Sequence, residues 1–384
     1  MNEYVYLDNA ATSFPKPRSV TREVNNCISK YCGNPGRGAH FFAMESARRI
    51  YECRELISEF FGVGAPERVI FTLNTTYAIN LLVKGLLNKG DHVIVSDLEH
   101  NSVWRPIYKL AKEGVIEYSI FNSMCKDSAA SPTRICAGIA RLIRPNTKLV
   151  LCTHSSNICS YSLPIREIGA FCKRHGILFG VDAAQSAGHL PIDMQDMSID
   201  ALCVPSHKGL YGIQGSGFLA FSEATRLKTL VEGGNGLLSL EGDMSDDSPE
   251  RYEAGTLPTP AIVGLAEGIK TISALGIDRI SKHEKALFEY ARERLSDING
   301  IRVHLPQYAG AVLLFSHRDI PSERLASMLG DMGICLRGGF HCSVLGHKSL
   351  GTGDNGALRA SFGIFNSSSH IDRLADALAE IPRY

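Results

Sequence analysis

Apolar positions along the chain recur in two alternating patterns. Short runs that are apolar over nearly their whole length occur at residues 69–73 (VIFTL), 91–96 (DHVIVS), 148–153 (KLVLCT), 177–182 (ILFGVD), 201–205 (ALCVP) and 217–221 (GFLAF). Between them lie stretches with helical spacing, clearest at 76–87, 104–113 and 164–175. Runs without a polar face predict strands covered on both sides. Their alternation with helices predicts an α/β unit on a mainly parallel sheet.

The pattern changes after residue 221. Residues 232–253 are polar and glycine-rich, with five acids in 241–250 (EGDMSDDSPE), which predicts a mobile loop. Helical spacing resumes at 260–275 and 277–298. Two apolar runs follow at 301–305 and 311–316, and a last helical stretch at 370–381. This second part reads as a smaller α+β unit. No internal repeat or low-complexity tract interrupts either part.

Composition narrows the function classes. Forty basic residues balance 40 acidic ones, so the basic excess that nucleic acids or anionic membranes require is missing. Apolar runs stay far below the roughly 20 residues needed to span a bilayer. The start, MNEYVYLDNAATS, has neither the basic nor the apolar segment of a secretion signal. Eleven cysteines, an odd number without a C-x-x-C pair, argue against a disulfide framework. The expectation is a soluble, cytoplasmic protein that binds neither nucleic acid nor membrane.

Ligands of an open parallel sheet bind beyond the carboxyl ends of its strands, so the residues that follow each run are the candidate site. Asn74-Thr75-Thr76 opens a helix, either as an anion site or as an ordinary threonine cap. His100 follows the run 91–96, and Asn157 the run 148–153. Asp182 ends the run 177–182, with Gln185 just beyond it, and Ser206-His207-Lys208 follows the run 201–205. A buried lysine tends toward the neutral amine that forms a Schiff base, and an acid at a strand end can hold a protonated ring nitrogen. That pairing is what pyridoxal phosphate requires. A plain buried Asp182–Lys208 salt bridge is the alternative.

These stretches resemble the cysteine desulfurase and selenocysteine lyase branch of the class V aminotransferase-like, fold-type I pyridoxal-phosphate enzymes. The matching segments are YLDNAATSFPKP (6–17), GNPGRGAH (33–40), NTTYAIN (74–80), EHNSV (99–103), VDAAQSAGHLPIDM (181–194), SHKGLYGIQGSG (206–217), YEAGT (252–256), RGGFHC (337–342) and RASFGIFNS (359–367). They run in family order over essentially the whole chain. The resemblance implies a large α/β domain at 15–255 with a mostly parallel seven-stranded sheet. It also implies a smaller α+β domain from 1–14 and 256–384.

By position, the resemblance implies that Lys208 holds the cofactor and Asp182 its ring nitrogen. His100 stacks on the ring, and Gln185 meets its phenolic oxygen. Thr75, Thr76, Ser206 and His207 are implied as phosphate ligands, and Thr256 as one supplied by the second subunit of a homodimer. Asn157 and Arg359 are implied to bind the substrate carboxylate, a task suited to the planar arginine fork. Cys342 is implied to be the sulfur-accepting nucleophile; it follows His341, and a neighbouring imidazolium or cationic field can lower the pKa of a thiol.

The segment resembles the R-x-G-x-H-C form of the second desulfurase group, with Phe340 where many members carry a second histidine. Tyr77 stands where an acid often follows the paired threonines. A zinc site from Cys335, His341, Cys342 and His347 fits no standard spacing, so no metal is expected. The implied reaction converts L-cysteine to L-alanine and leaves a persulfide on Cys342 for a thiol or an acceptor protein. The alternatives are a lyase acting on L-selenocysteine, or another class V reaction such as aminotransfer or elimination.

Overall fold

A computed structural model of the chain describes residues 4–36, 38–127, 130–236, 240–305 and 307–381. Arg37 of the GNPGRGAH segment and residues 1–3 and 382–384 of the expected domain ranges lie outside the described residues. The fold is α/β. Its main sheet has seven strands, in the spatial order Val69–Thr72, Gly217–Phe221, Ala201–Pro205, Leu178–Asp182, Thr147–Thr153, His92–Ser96, Glu117–Phe121. All neighbours are parallel except Gly217–Phe221, which runs antiparallel to both strands beside it.

Six of these strands coincide with the apolar runs. The seventh, Glu117–Phe121 (EYSIF), is an edge strand with only its last residue buried. With one side open to water it needs no continuous apolar run, so the hydrophobic pattern does not announce it. Helices cover both faces, and the residues beneath them form two large apolar clusters.

A second sheet is antiparallel, in the order Arg337–Gly339, Ala357–Ser361, Val312–His317, Ile301–His304. It has its own core, including Leu287, Phe288, Phe315, Leu325, Leu358 and Phe362. Val5 and Leu7 join that core, because Val5–Tyr6 pairs in parallel with Ile334–Cys335. The helix Thr259–Leu275, which the expected boundary at 256 groups with this part, instead sends Ile262, Leu265, Ile269 and Ile272 into the main-sheet core. It lies so close to the Lys208 loop that a Cβ on Gly268 would stand 1.9 Å from the Leu210 carbonyl oxygen.

At Gly276 (φ 83°) the chain turns by 82° into the helix Ile277–Ser296. Among the described residues no single helix is long and apolar enough to cross a membrane. The acidic segment expected to be a loop contains no helix or strand among its described residues. Its end is anchored, since the buried Glu253 pairs with the buried Arg54 and accepts the Phe71 N–H at 2.6 Å.

Candidate active site

The carboxyl ends of the central strands converge on a cavity of about 90 Å³. Thr75, Thr76, His100, Asn157, Asp182, Gln185, His207 and Lys208 all line it. The structure therefore brings together eight of the twelve residues singled out from the sequence. Thr256, Ser206, Arg359 and Cys342 stand elsewhere.

At the amino end of the helix Thr75–Leu86, Asn74 is the cap, its side chain accepting the Tyr77 N–H at 3.0 Å. Asn74 thereby removes the ordinary-cap reading of the threonines. Thr76 Oγ1 lies 2.7 Å from Ser102 Oγ, while Thr75 Oγ1 is buried without a partner. His207 Nδ1 is also buried and unpartnered. A buried polar atom left unsatisfied costs about 1–3 kcal/mol. Two such atoms beside a helix amino terminus form a donor set for an anion.

Ser206 departs from the expectation of a phosphate ligand. Pro205 and His207 line the cavity and Ser206 between them does not. Its hydroxyl, also buried without a partner, faces Gly212 instead, where an added Cβ would meet it at 2.0 Å.

Asp182 is 2% exposed, and burial raises its pKa. Its Oδ1 accepts the Ala184 N–H at 2.9 Å. Among the described residues no ion pair joins Asp182 to Lys208, nor does a hydrogen bond occupy Lys208 Nζ, so the simple salt bridge is not formed. Burial brings the Lys208 amine down to about 8, opposed by the Asp182 charge.

The backbone of Lys208 is held by a segment from the other end of the chain. The His207 carbonyl receives Ser13 N–H at 3.0 Å and Lys16 Nζ at 2.8 Å, and Ser13 Oγ donates to the Lys208 carbonyl at 2.9 Å. His100 caps the helix Asn101–Lys112, and its Nδ1 accepts the Ser102 N–H at 3.0 Å. Burial pushes His100 down to about 4, so the ring is neutral with its proton on Nε2. Gln185 Nε2 donates one of its two hydrogens to the Ala10 carbonyl at 2.9 Å.

Glu99, fully buried next to His100, was not anticipated from the sequence. Its Oε1 accepts the Thr153 N–H at 3.0 Å together with the Ser96 hydroxyl, tying two strand ends together. Burial pushes it up to about 8, against the pull of those hydrogen bonds.

Arg359, 2% exposed, is reached through Asn157: its Nη1 donates to the Asn157 carbonyl at 2.9 Å. Nη2 pairs with Asp8 at 2.8 Å, and Nε is buried without a partner. Asp8 is a second residue the sequence reading did not single out. Asn157 Nδ2 donates to the His341 carbonyl at 2.8 Å, which links this network to the nucleophile segment.

Cys342 is exposed, and both His341 (φ 51°) and Cys342 (φ 54°) are left-handed. That conformation costs a non-glycine residue roughly 1–2 kcal/mol. The turn is held by Asn101 N–H on the Cys342 carbonyl at 2.8 Å and by Ser343 N–H on the Phe340 carbonyl at 2.9 Å. Of the imidazolium or cationic field that could acidify the thiol, His341 does not supply the imidazolium. It is buried, burial pushes it down to about 3, and its nitrogens are engaged by the Arg337 carbonyl and by His347, both at 3.1 Å. Among the described residues no cluster of three metal-binding side chains occurs.

Thr256 is exposed and lines a different, larger cavity of about 570 Å³, with Arg54, Tyr51 and Asn235.

Residues 5–374 match the model of the aminotransferase class-V family. A probable cysteine desulfurase of Methanothermobacter thermautotrophicus is 34% identical over 389 residues, covering 99% of this chain and 95% of that protein. A cysteine desulfurase of Haloferax volcanii is 30% identical over 388 residues, covering 97% and 88%. The apo structure of a cysteine desulfurase from Thermococcus onnurineus is similar over 99% of this chain and 95% of its own, with a TM-score of 0.88 at 29% identity.

Proposed function

The chain belongs to the aminotransferase class-V family, and we propose that it is a pyridoxal-phosphate-dependent cysteine desulfurase in which Cys342 receives the sulfur. The observation that carries this reading is the placement of Cys342. It is an exposed thiol on a left-handed turn, tied through Asn101 to the helix capped by His100 and through Asn157 to Arg359. The names of the relatives point the same way.

The residues present fit the cofactor. Thr75 Oγ1 and His207 Nδ1, both buried without partners, would hold its phosphate with Thr76 at the helix terminus. Asp182 would hold the ring nitrogen, His100 would lie on the ring face, Gln185 would use its remaining N–H on the phenolic oxygen, and Lys208 would carry the group. When bound, pyridoxal phosphate supplies an electron sink for the pair left when an amino acid loses its Cα proton.

The protein's own groups do the rest. Arg359 Nε and the second N–H of Asn157 Nδ2 orient the substrate carboxylate. Lys208 Nζ, lowered to about 8, is neutral often enough near pH 7 to take the Cα proton and return it to the product. Cys342 gives up its thiol proton and bonds to the substrate sulfur as the carbon–sulfur bond breaks. The balance is L-cysteine plus the Cys342 thiol giving L-alanine plus the Cys342 persulfide. A thiol or an acceptor protein then takes the terminal sulfur.

The active form is a homodimer in this reading, with Thr256 reaching the second subunit's phosphate site. Exposed Phe41, Met44 and Tyr51, on one face of the helix Phe41–Phe60, support a covered face there.

The test follows alanine and sulfide from L-cysteine in the presence of a thiol, with Cys342→Ala and Lys208→Ala in parallel. Equimolar products, lost in both variants, are expected. Turnover of L-selenocysteine alone would move the assignment to a lyase. No alanine from either substrate, with the cofactor bound, would refute both.

A further inference from the structure

We propose that His347 is a positioning residue for Cys342: through a chain of directed hydrogen bonds it locks the His341 ring, and with it the left-handed turn that presents the thiol. The inference rests on the reading of Cys342 as the sulfur acceptor.

The chain of hydrogen bonds has one consistent polarity. The Arg337 carbonyl accepts only, so His341 Nε2 carries the proton on that side, at 3.1 Å. In a neutral ring Nδ1 is then an acceptor, and the group facing it at 3.1 Å, His347 Nε2, must donate. His347 Nδ1 in turn accepts from the Thr352 hydroxyl at 2.7 Å. Burial keeps both rings neutral, lowering His341 to about 3 and His347 to about 4. The ring centroids lie 5.3 Å apart with an interplanar angle of 13°, the edge-to-edge, nearly coplanar arrangement an in-plane hydrogen bond requires, and both side chains are buried.

His347 also fills the space beside Phe340, its ring edge-on at 5.4 Å. Phe340 has no hydrogen-bonding group to offer His341. The imidazole that meets His341 Nδ1 comes instead from the helix Val344–Leu350, which follows the turn. A histidine that merely filled the core would tolerate an apolar replacement of similar size. This one supplies the only donor, among the described residues, to a buried acceptor on the residue next to Cys342. Without that donor the His341 ring has reason to rotate away, and the left-handed pair at 341 and 342 loses a main restraint.

The experiment compares wild type, His347→Leu and His347→Gln as holoenzymes, together with Thr352→Val and Thr352→Ser. Two readouts are taken: steady-state alanine formation from L-cysteine, and the rate of Cys342 alkylation by iodoacetamide. Loss of positioning should lower kcat of His347→Leu by about tenfold or more while KM stays within about twofold, because Cys342 acts after the substrate is bound. The Gln variant, which keeps a donor, should recover most of that loss. Alkylation should change in the Leu variant and return toward wild type in Gln.

Thr352→Val should show the same defect more weakly, and Thr352→Ser should match wild type. If His347→Leu does not fold, the Thr352 pair decides. Equal behaviour of Leu and Gln, or of Val and Ser, would overturn the proposal. A wild-type protein that makes no alanine would refute the function reading instead, and the alkylation comparison would still test the positioning of Cys342.

Discussion

Glu99→Gln isolates the most unusual charge state near the site. Glu99 is fully buried, one oxygen accepts from Ser96 and Thr153, and the other has no partner. Burial moves its pKa from an ordinary 4.5 to about 8. Between those values the folded protein binds a proton that the unfolded chain has released, so folding stability falls as pH rises. The slope is about 1.4 kcal/mol per pH unit for one group. From pH 5 to pH 7 the wild type should therefore lose about 3 kcal/mol relative to Glu99→Gln, which has the shape of the protonated acid and cannot ionise.

Using the difference between the two proteins removes every group they share. The assay is urea unfolding of both at pH 5, 6 and 7, with saturating cofactor so that ligand linkage is constant. An infrared difference spectrum between them at pH 7 should also show the carbonyl band of a carboxylic acid. A stability gap that stays flat across this range, with no such band, would refute the claim that burial outweighs the hydrogen bonds at Glu99.

Three further outcomes follow from the same reasoning. Asp8→Asn leaves the buried Arg359 guanidinium without its carboxylate. It should cost about 3 kcal/mol in urea unfolding and raise KM for the amino acid as Arg359 loses its orientation. Thr75→Val removes an unpartnered buried hydroxyl at nearly constant volume. It should weaken cofactor affinity by about tenfold or more in an absorbance titration without lowering the stability of the apoprotein. Ser206→Ala, at a hydroxyl turned toward Gly212, should leave that affinity unchanged. A weakened Ser206→Ala would refute the orientation described here.

Much of this protein is determined locally and can be read along the chain. Strands covered on both faces must be apolar throughout, so six of the seven in the main sheet are visible as runs. Their order of connection to helices implies that the site lies at their carboxyl ends. Asp182, which closes its apolar run, and Lys208, three residues beyond the end of its own, are legible on that ground, because a charged residue there has few structural uses.

Other features depend on contacts that no local pattern records. The edge strand Glu117–Phe121 is half exposed and looks like any mixed segment. Ser206 and His207 are neighbours in sequence, yet one side chain faces Gly212 and the other lines the cavity. Asp8 reaches Arg359 across 351 residues, and Asn74, not a threonine, caps its helix. The sharpest case is His341. Beside Cys342 in the sequence it suggests an imidazolium, but burial removes the water that would stabilise the charge, and His347 and the Arg337 carbonyl fix a neutral tautomer. Residue type and period are properties of the chain by itself. Protonation, ring orientation and the atoms left without partners are decided only when packing settles which groups lose their water and which find each other.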